Sequence, residues 1–103
     1  MAASRARPSR VCRLRQSLLP SLKRNVVPGT PLASRVSATM HAIAFATELP
    51  NDDDKKALRP PAAWVWCRDV PQSNLVVWFD FDEASVWLIA VGPNSTPHPR
   101  REK

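Results

Sequence analysis

The chain has 103 residues, with eleven prolines, two glycines and two cysteines. That length allows one small domain, and two thiols form neither a disulfide framework nor a zinc-ligand quartet. The net charge of +6 is uneven, because residues 1–39 hold eight basic and no acidic side chains while the remainder carries −2, so a whole-chain isoelectric point overstates affinity for nucleic acid.

Residues 1–39 are rich in Arg, Ser and Pro and contain no aromatic residue. Such a stretch offers little apolar surface to offset the entropy of ordering it. Val11, Leu14, Leu18 and Leu22 recur at helical spacing, but Pro20 interrupts them, and Pro28, Gly29 and Pro31 end any helix. The composition predicts a disordered basic leader, with three readings open. A mitochondrial or plastid transit peptide is Arg- and Ser-rich and poor in acids. Translation that begins at Met40 would leave the segment unmade. A retained basic tail would touch nucleic acid or anionic lipid. Without a transit peptide the expected location is the cytoplasm. A secretory signal is disfavoured, because no continuous apolar core follows the charges. Elsewhere, too, the apolar runs fall far short of the ~18 residues that a membrane span needs.

Residues 41–49, HAIAFATEL, alternate enough for a first strand, although the alanines from Ala38 to Ala46 also suit a helix; Pro50 ends either. Residues 51–59, NDDDKKALR, carry helix punctuation, with Asn51 as a cap, acids first and bases last. A polar loop is the competing reading. Residues 62–68, AAWVWCR, predict a strand with Trp64 and Trp66 on one face and Val65 and Cys67 on the other. Residues 69–73 are a link of hairpin length.

The strongest pattern lies in residues 74–92, NLVVWFDFDEASVWLIAVG. Its Val, Ile, Phe and Trp suit a pleated surface. Setting Asp82 opposite Ser85 places Phe81 against Val86, Phe79 against Leu88 and Val77 against Ala90. One face then carries Leu75, Val77, Phe79, Phe81, Val86, Leu88 and Ala90. The other carries Val76, Trp78, Asp80, Asp82, Ser85, Trp87, Ile89 and Val91. No Gly or Asn marks a two-residue turn, so a longer type I loop is expected. Residues 93–103 have no periodicity and predict a disordered tail. The expected fold is small α+β or mostly β: a three- to four-stranded antiparallel meander over residues 40–92 with at most one short helix. So small a core, with large apolar residues on both hairpin faces, predicts dimerisation, a partner or marginal folding.

Four tryptophans, Trp64, Trp66, Trp78 and Trp87, fall within about 25 residues. They are candidate binding residues, either as an aromatic platform or as core packing and a self-association surface. Asp80, Asp82 and Glu83 are candidate ligands for one hard cation, with Asp80 and Asp82 side by side on one strand face roughly 6–7 Å apart. The competing role for these charges is to interrupt an apolar run that would otherwise pair edge to edge with other chains. A Cys67–His41 nucleophile pair is conceivable across adjacent strands, but no motif supports it. With no phosphate-cradling glycine loop, nucleophile elbow or dinucleotide fingerprint, no cofactor is expected. The leading expectation is a non-catalytic interaction module whose exposed Trp/Val sheet face meets a protein or a second copy. Nucleic acid is expected only at the basic segment.

The hairpin LVVWFDFDEASVWLIAVG, residues 75–92, resembles the closing strands of small RelE/ParE-type toxins. The resemblance covers about 20 of 103 residues and includes no specific motif. It implies a helical pair ahead of a basic sheet and an RNA-directed activity. Here the preceding stretch is proline-broken and the sheet acidic, so an RNA-cleaving toxin is the alternative function.

Overall fold

The computed structural model describes residues 10–59 and 63–93. Its elements are β1 (Val11–Leu14), α1 (Leu18–Asn25), α2 (Pro31–Ala44), β2 (Asp54–Arg59), β3 (Ala63–Asp69), β4 (Leu75–Phe81) and β5 (Ser85–Pro93). They build a small α+β fold around a five-stranded sheet of order β1-β5-β4-β3-β2. Strands β2 to β5 form the expected antiparallel meander. β1 adds a parallel edge beside β5, with Val11 opposite Ser85 and Leu14 opposite Leu88. The sheet is therefore mixed, with five strands rather than three or four, and two helices rather than one.

The largest correction concerns the supposed leader. From residue 10 onward it supplies β1, α1 and most of α2. Two of its prolines, Pro20 and Pro31, lie in the first turn of a helix instead of breaking it, while Pro28 lies between the two helices. Ser17 is the N-cap of α1 and Thr30 that of α2, so Pro20 is the third residue of α1 and Pro31 the first of α2. Neither N–H would have an intrahelical acceptor there. Thr30 caps α2 by accepting a hydrogen bond from the Ala33 N–H at 3.1 Å. Gly29, at φ +82°, makes the turn between the helices. Residues 41–44 belong to α2 rather than to a first strand. Leu32, Val36, Thr39, Met40 and Ile43 share one helical face, and Val36 and Ile43 are fully buried. The expected tail beyond Pro93 lies outside the described residues.

Residues 54–59, a helix or loop in the sequence reading, form the edge strand β2 opposite Arg68–Ala63. Asn51 does accept from the Asp53 N–H at 2.8 Å, but this closes a turn and not a helix. Asp54 decides the outcome. Its carboxylate receives Arg68 Nε at 2.6 Å and Nη2 at 3.0 Å, and the Asn51 N–H at 2.8 Å.

In the β4–β5 hairpin the expected register holds from Phe81↔Val86 to Phe79↔Leu88. The next pair is Trp78↔Ala90, so Ile89 is an extra residue in a bulge. Val91, not Ala90, then faces Val77 and joins the helix-side core. That core contains Leu18, Val36, Ile43, Val70, Leu75, Val77, Phe79, Val86, Leu88 and Val91. Val65, Cys67, Val76, Trp78 and Ala90 form a second buried cluster on the opposite face.

β1 covers β5 only as far as Leu88, and α1 completes that edge. Ser17 Oγ donates to Ile89 O at 2.6 Å, and Asn25 Nδ2 donates to Val91 O at 3.0 Å. Ser21 Oγ accepts from the Val91 N–H at 2.9 Å and donates to Leu18 O at 2.7 Å. Positions 17, 21 and 25 recur once per helical turn, so one polar stripe satisfies backbone groups that a missing strand would leave open. Ser21→Ala strands the buried Val91 N–H and should cost about 1–3 kcal/mol, measured by urea denaturation. A loss below about 0.5 kcal/mol would show that water replaces the hydroxyl.

Candidate functional site

The four tryptophans do not form one platform. Trp66 and Phe81 lie on the helix-side face of the sheet, partly buried against the core. Trp78 lies on the other face, only 6% exposed. Trp87 is half-buried, and Arg15 approaches its ring at 5.6 Å. Trp64 is in β3 opposite Leu58, but its side chain lies outside the described residues. Since Val76 is also fully buried, the hairpin's Trp/Val face exposes little beyond parts of Trp87 and Ile89.

The burial of Trp78 has a cause in the backbone. A Cβ at Gly92 would sit 2.9 Å from the Trp78 ring, closer than packed carbon atoms tolerate. Gly92→Ala should therefore destabilise by about 1–3 kcal/mol and shift Trp78 fluorescence. An unchanged melting curve and spectrum would contradict that packing.

The acidic cluster is largely occupied with the turn. Asp82 Oδ1 accepts from the Ala84 and Ser85 N–H groups, each at 2.8 Å, and Asp80 Oδ1 accepts from the Phe81 N–H at 2.9 Å. Glu83 is exposed. Asp82 thus supplies the turn signal that a glycine would otherwise give. Among the described residues no group of three His, Cys, Asp or Glu side chains is placed to hold a metal ion.

Cys67 and His41 are apart. Cys67 belongs to the cluster facing away from the helices, whereas His41 is on α2 with its ring 4.4 Å from that of Phe45. Burial pushes the Cys67 thiol up, and Asp69 adds to the effect. Burial raises Cys12 as well. Both thiols thus stay protonated near neutral pH, a poor state for nucleophilic attack.

Two features stand out instead. The first is a row of rings and cations crossing the helix-side face of the sheet. Lys56 Nζ is 5.6 Å from the Trp66 centroid, Trp66 and Phe81 are 6.0 Å apart at 41°, and the Arg10 guanidinium is 5.5 Å from the Phe81 centroid. Phe79 continues the row inward, 6.2 Å from Phe81. Strand pairing sets Lys56 opposite Trp66 and Trp66 opposite Phe79. The sequence showed the rings, but hid Arg10 in the expected leader and Lys56 in an expected helix.

The second feature is an apolar groove of about 410 Å³ between α1 and α2. It is lined by Leu19, Leu22, Lys23, Val26, Pro28, Ala33, Val36 and Met40. Leu19 and Val27 are more than half exposed. The two helices carry Lys23, Arg24 and Arg35 and no acid, so this helical layer has positive and no negative side chains beside its apolar seam. No helix among the described residues is long and apolar enough to cross a membrane.

No family model, curated protein or solved structure matches the chain.

Proposed function

We propose that this chain is a small interaction module, and that its protein partner docks in the groove between α1 and α2. The observation that carries this reading is the exposed apolar seam in a layer that bears cations and no acid. A partner with an apolar stripe flanked by carboxylates would bury Leu19 and complement Lys23, Arg24 and Arg35. The hairpin's Trp/Val face contributes less, since its large side chains are mostly covered. Cross-linking and co-purification from the native source, with wild-type and Leu19→Glu chains, test the reading. A partner that is retained by Trp87→Ser and lost with Leu19→Glu supports it. Loss with Trp87→Ser alone would move the interface to the sheet, and sedimentation would show whether the partner is a second copy.

One observation favours a second reading, an RNA-directed toxin-type protein. Two helices precede the hairpin, the arrangement implied by the resemblance of residues 75–92. That reading expects growth arrest and transcript cleavage on expression. Normal growth at full soluble expression would contradict it.

A further inference from the structure

We infer that the row Lys56–Trp66–Phe81–Arg10 is a binding site for a nucleobase joined to phosphate, as found in single-stranded nucleic acid or a free nucleotide. This goes beyond the docking reading and does not depend on it.

The row has the two components that such a ligand needs. Trp66 and Phe81 are neighbouring, half-buried rings on one face. Any base can stack on such a surface, because every base has a π-face. A cation lies over each ring, Lys56 over Trp66 and Arg10 over Phe81, so a stacked base would take one ring face and its phosphate would draw the cation aside. Neither cation is in a salt bridge among the described residues. Arg10 donates from Nε to the main-chain oxygen of Asp82 at 2.7 Å, which orients the guanidinium without neutralising it. A phosphate on either side of a stacked base would then meet an unspent positive charge.

The nearby acids do not close the site. Asp80 pairs with Trp87 and lies on the opposite face from Phe81, by strand alternation. Asp82 directs its carboxylate at the Ala84 and Ser85 N–H groups. Glu83 is exposed at the Arg10 end, so phosphate should engage Lys56 more strongly than Arg10. Trp78 is buried on the opposite face of the sheet and takes no part.

Fluorescence anisotropy with labelled hexauridylate tests the inference on the full chain. Lys56→Gln and Arg10→Gln replace side chains at the surface, and circular dichroism checks that each variant folds. Each should weaken binding about 3- to 10-fold and reduce the slope of log K against log salt by about 0.7, the value for one phosphate on a single strand. Lys23→Gln, on the helical layer, should change neither by as much. A duplex of the same length should bind more weakly, because its bases cannot stack on the rings. Competition by uridine monophosphate at the strand's own affinity would assign the site to a free nucleotide. Weaker competition assigns it to a strand. Competition by inorganic phosphate alone at that affinity would overturn the stacking role of the rings. Binding unaffected by Lys56→Gln and Arg10→Gln, or no binding at low salt, would overturn the inference itself.

Discussion

A chain that begins at Met40 is expected not to fold. It would lose Leu18 and Val36, both buried, together with Leu22, Val26 and Leu32 packed against the same core. These side chains cover Val77, Phe79, Leu88 and Val91, all at most 4% exposed in the intact chain. Full burial of one such aliphatic residue contributes about 1.5–3 kcal/mol, so the combined loss is on the order of 5–10 kcal/mol. Small domains hold only about 5–15 kcal/mol in total. The same truncation removes β1 and the α1 stripe, which leaves the β5 edge open to pairing with other chains. Residues 40–103, expressed alone, should be insoluble or lack a cooperative melt. A soluble fragment with a sharp transition would restore the view of residues 1–39 as a dispensable leader.

The second large effect is expected at Asp54. Its side chain is fully buried and that of Arg68 is only 11% exposed, with Nε and Oδ1 2.6 Å apart. Asp54→Ala leaves a guanidinium in a largely dry site, 6.0 Å from the Phe79 ring centroid, with its carboxylate partner gone. Breaking a buried pair from one side costs about 3–5 kcal/mol. The exposed pair Lys55–Asp69, at 3.3 Å with both side chains more than half exposed, should contribute under about 1 kcal/mol. Urea denaturation of Asp54→Ala and Asp69→Ala compares the two pairs directly. Replacing both partners, as in Asp54→Leu with Arg68→Met, should recover much of the first loss, since the desolvation cost of two charges disappears with them. Equal effects for Asp54→Ala and Asp69→Ala would mean that burial is not what sets the cost.

The part of the fold most legible in the sequence was the one where β-branched and aromatic residues run together. Leu75–Phe79 are all apolar and all buried, and the partner strand begins after the polar break at Asp82 and Glu83. The hairpin and its register near the turn follow from that. The bulge was hidden because Ala90 and Val91 are both apolar, so either could face the helices without an alternation error. The helices were obscured by prolines read as breakers. Pro20 and Pro31 fall within the first turn of a helix, and only the neighbouring capping residues, Ser17 and Thr30, could have shown it. The face Leu32, Val36, Met40 and Ile43 crosses the boundary drawn at Met40, and dividing the chain there split its pattern in two. β2 could not be found from composition. Its pairing depends on Asp54 meeting Arg68 across fourteen residues of sequence.

The candidate sites were hidden for the same reason. The rings of the cation–aromatic row were visible as residues, but Arg10 and Phe81 are brought together by the return of β1 beside β5. The apolar groove is a property of two helices that composition alone assigned to disorder. In the sequence Asp82 is one of three clustered charges, and only the folded turn shows its Oδ1 accepting from the Ala84 and Ser85 N–H groups.

Amide hydrogen exchange, resolved by residue on the full chain, tests most directly whether the basic segment is part of the domain. Residues 21–25 and 36–44 should exchange slowly, with protection that falls together with that of β4 and β5 as denaturant is added, because one core joins them. The Val91 amide should be protected by Ser21 and lose that protection in Ser21→Ala. Exchange of residues 11–44 at unfolded-chain rates, beside a protected β3–β5 meander, would contradict the account.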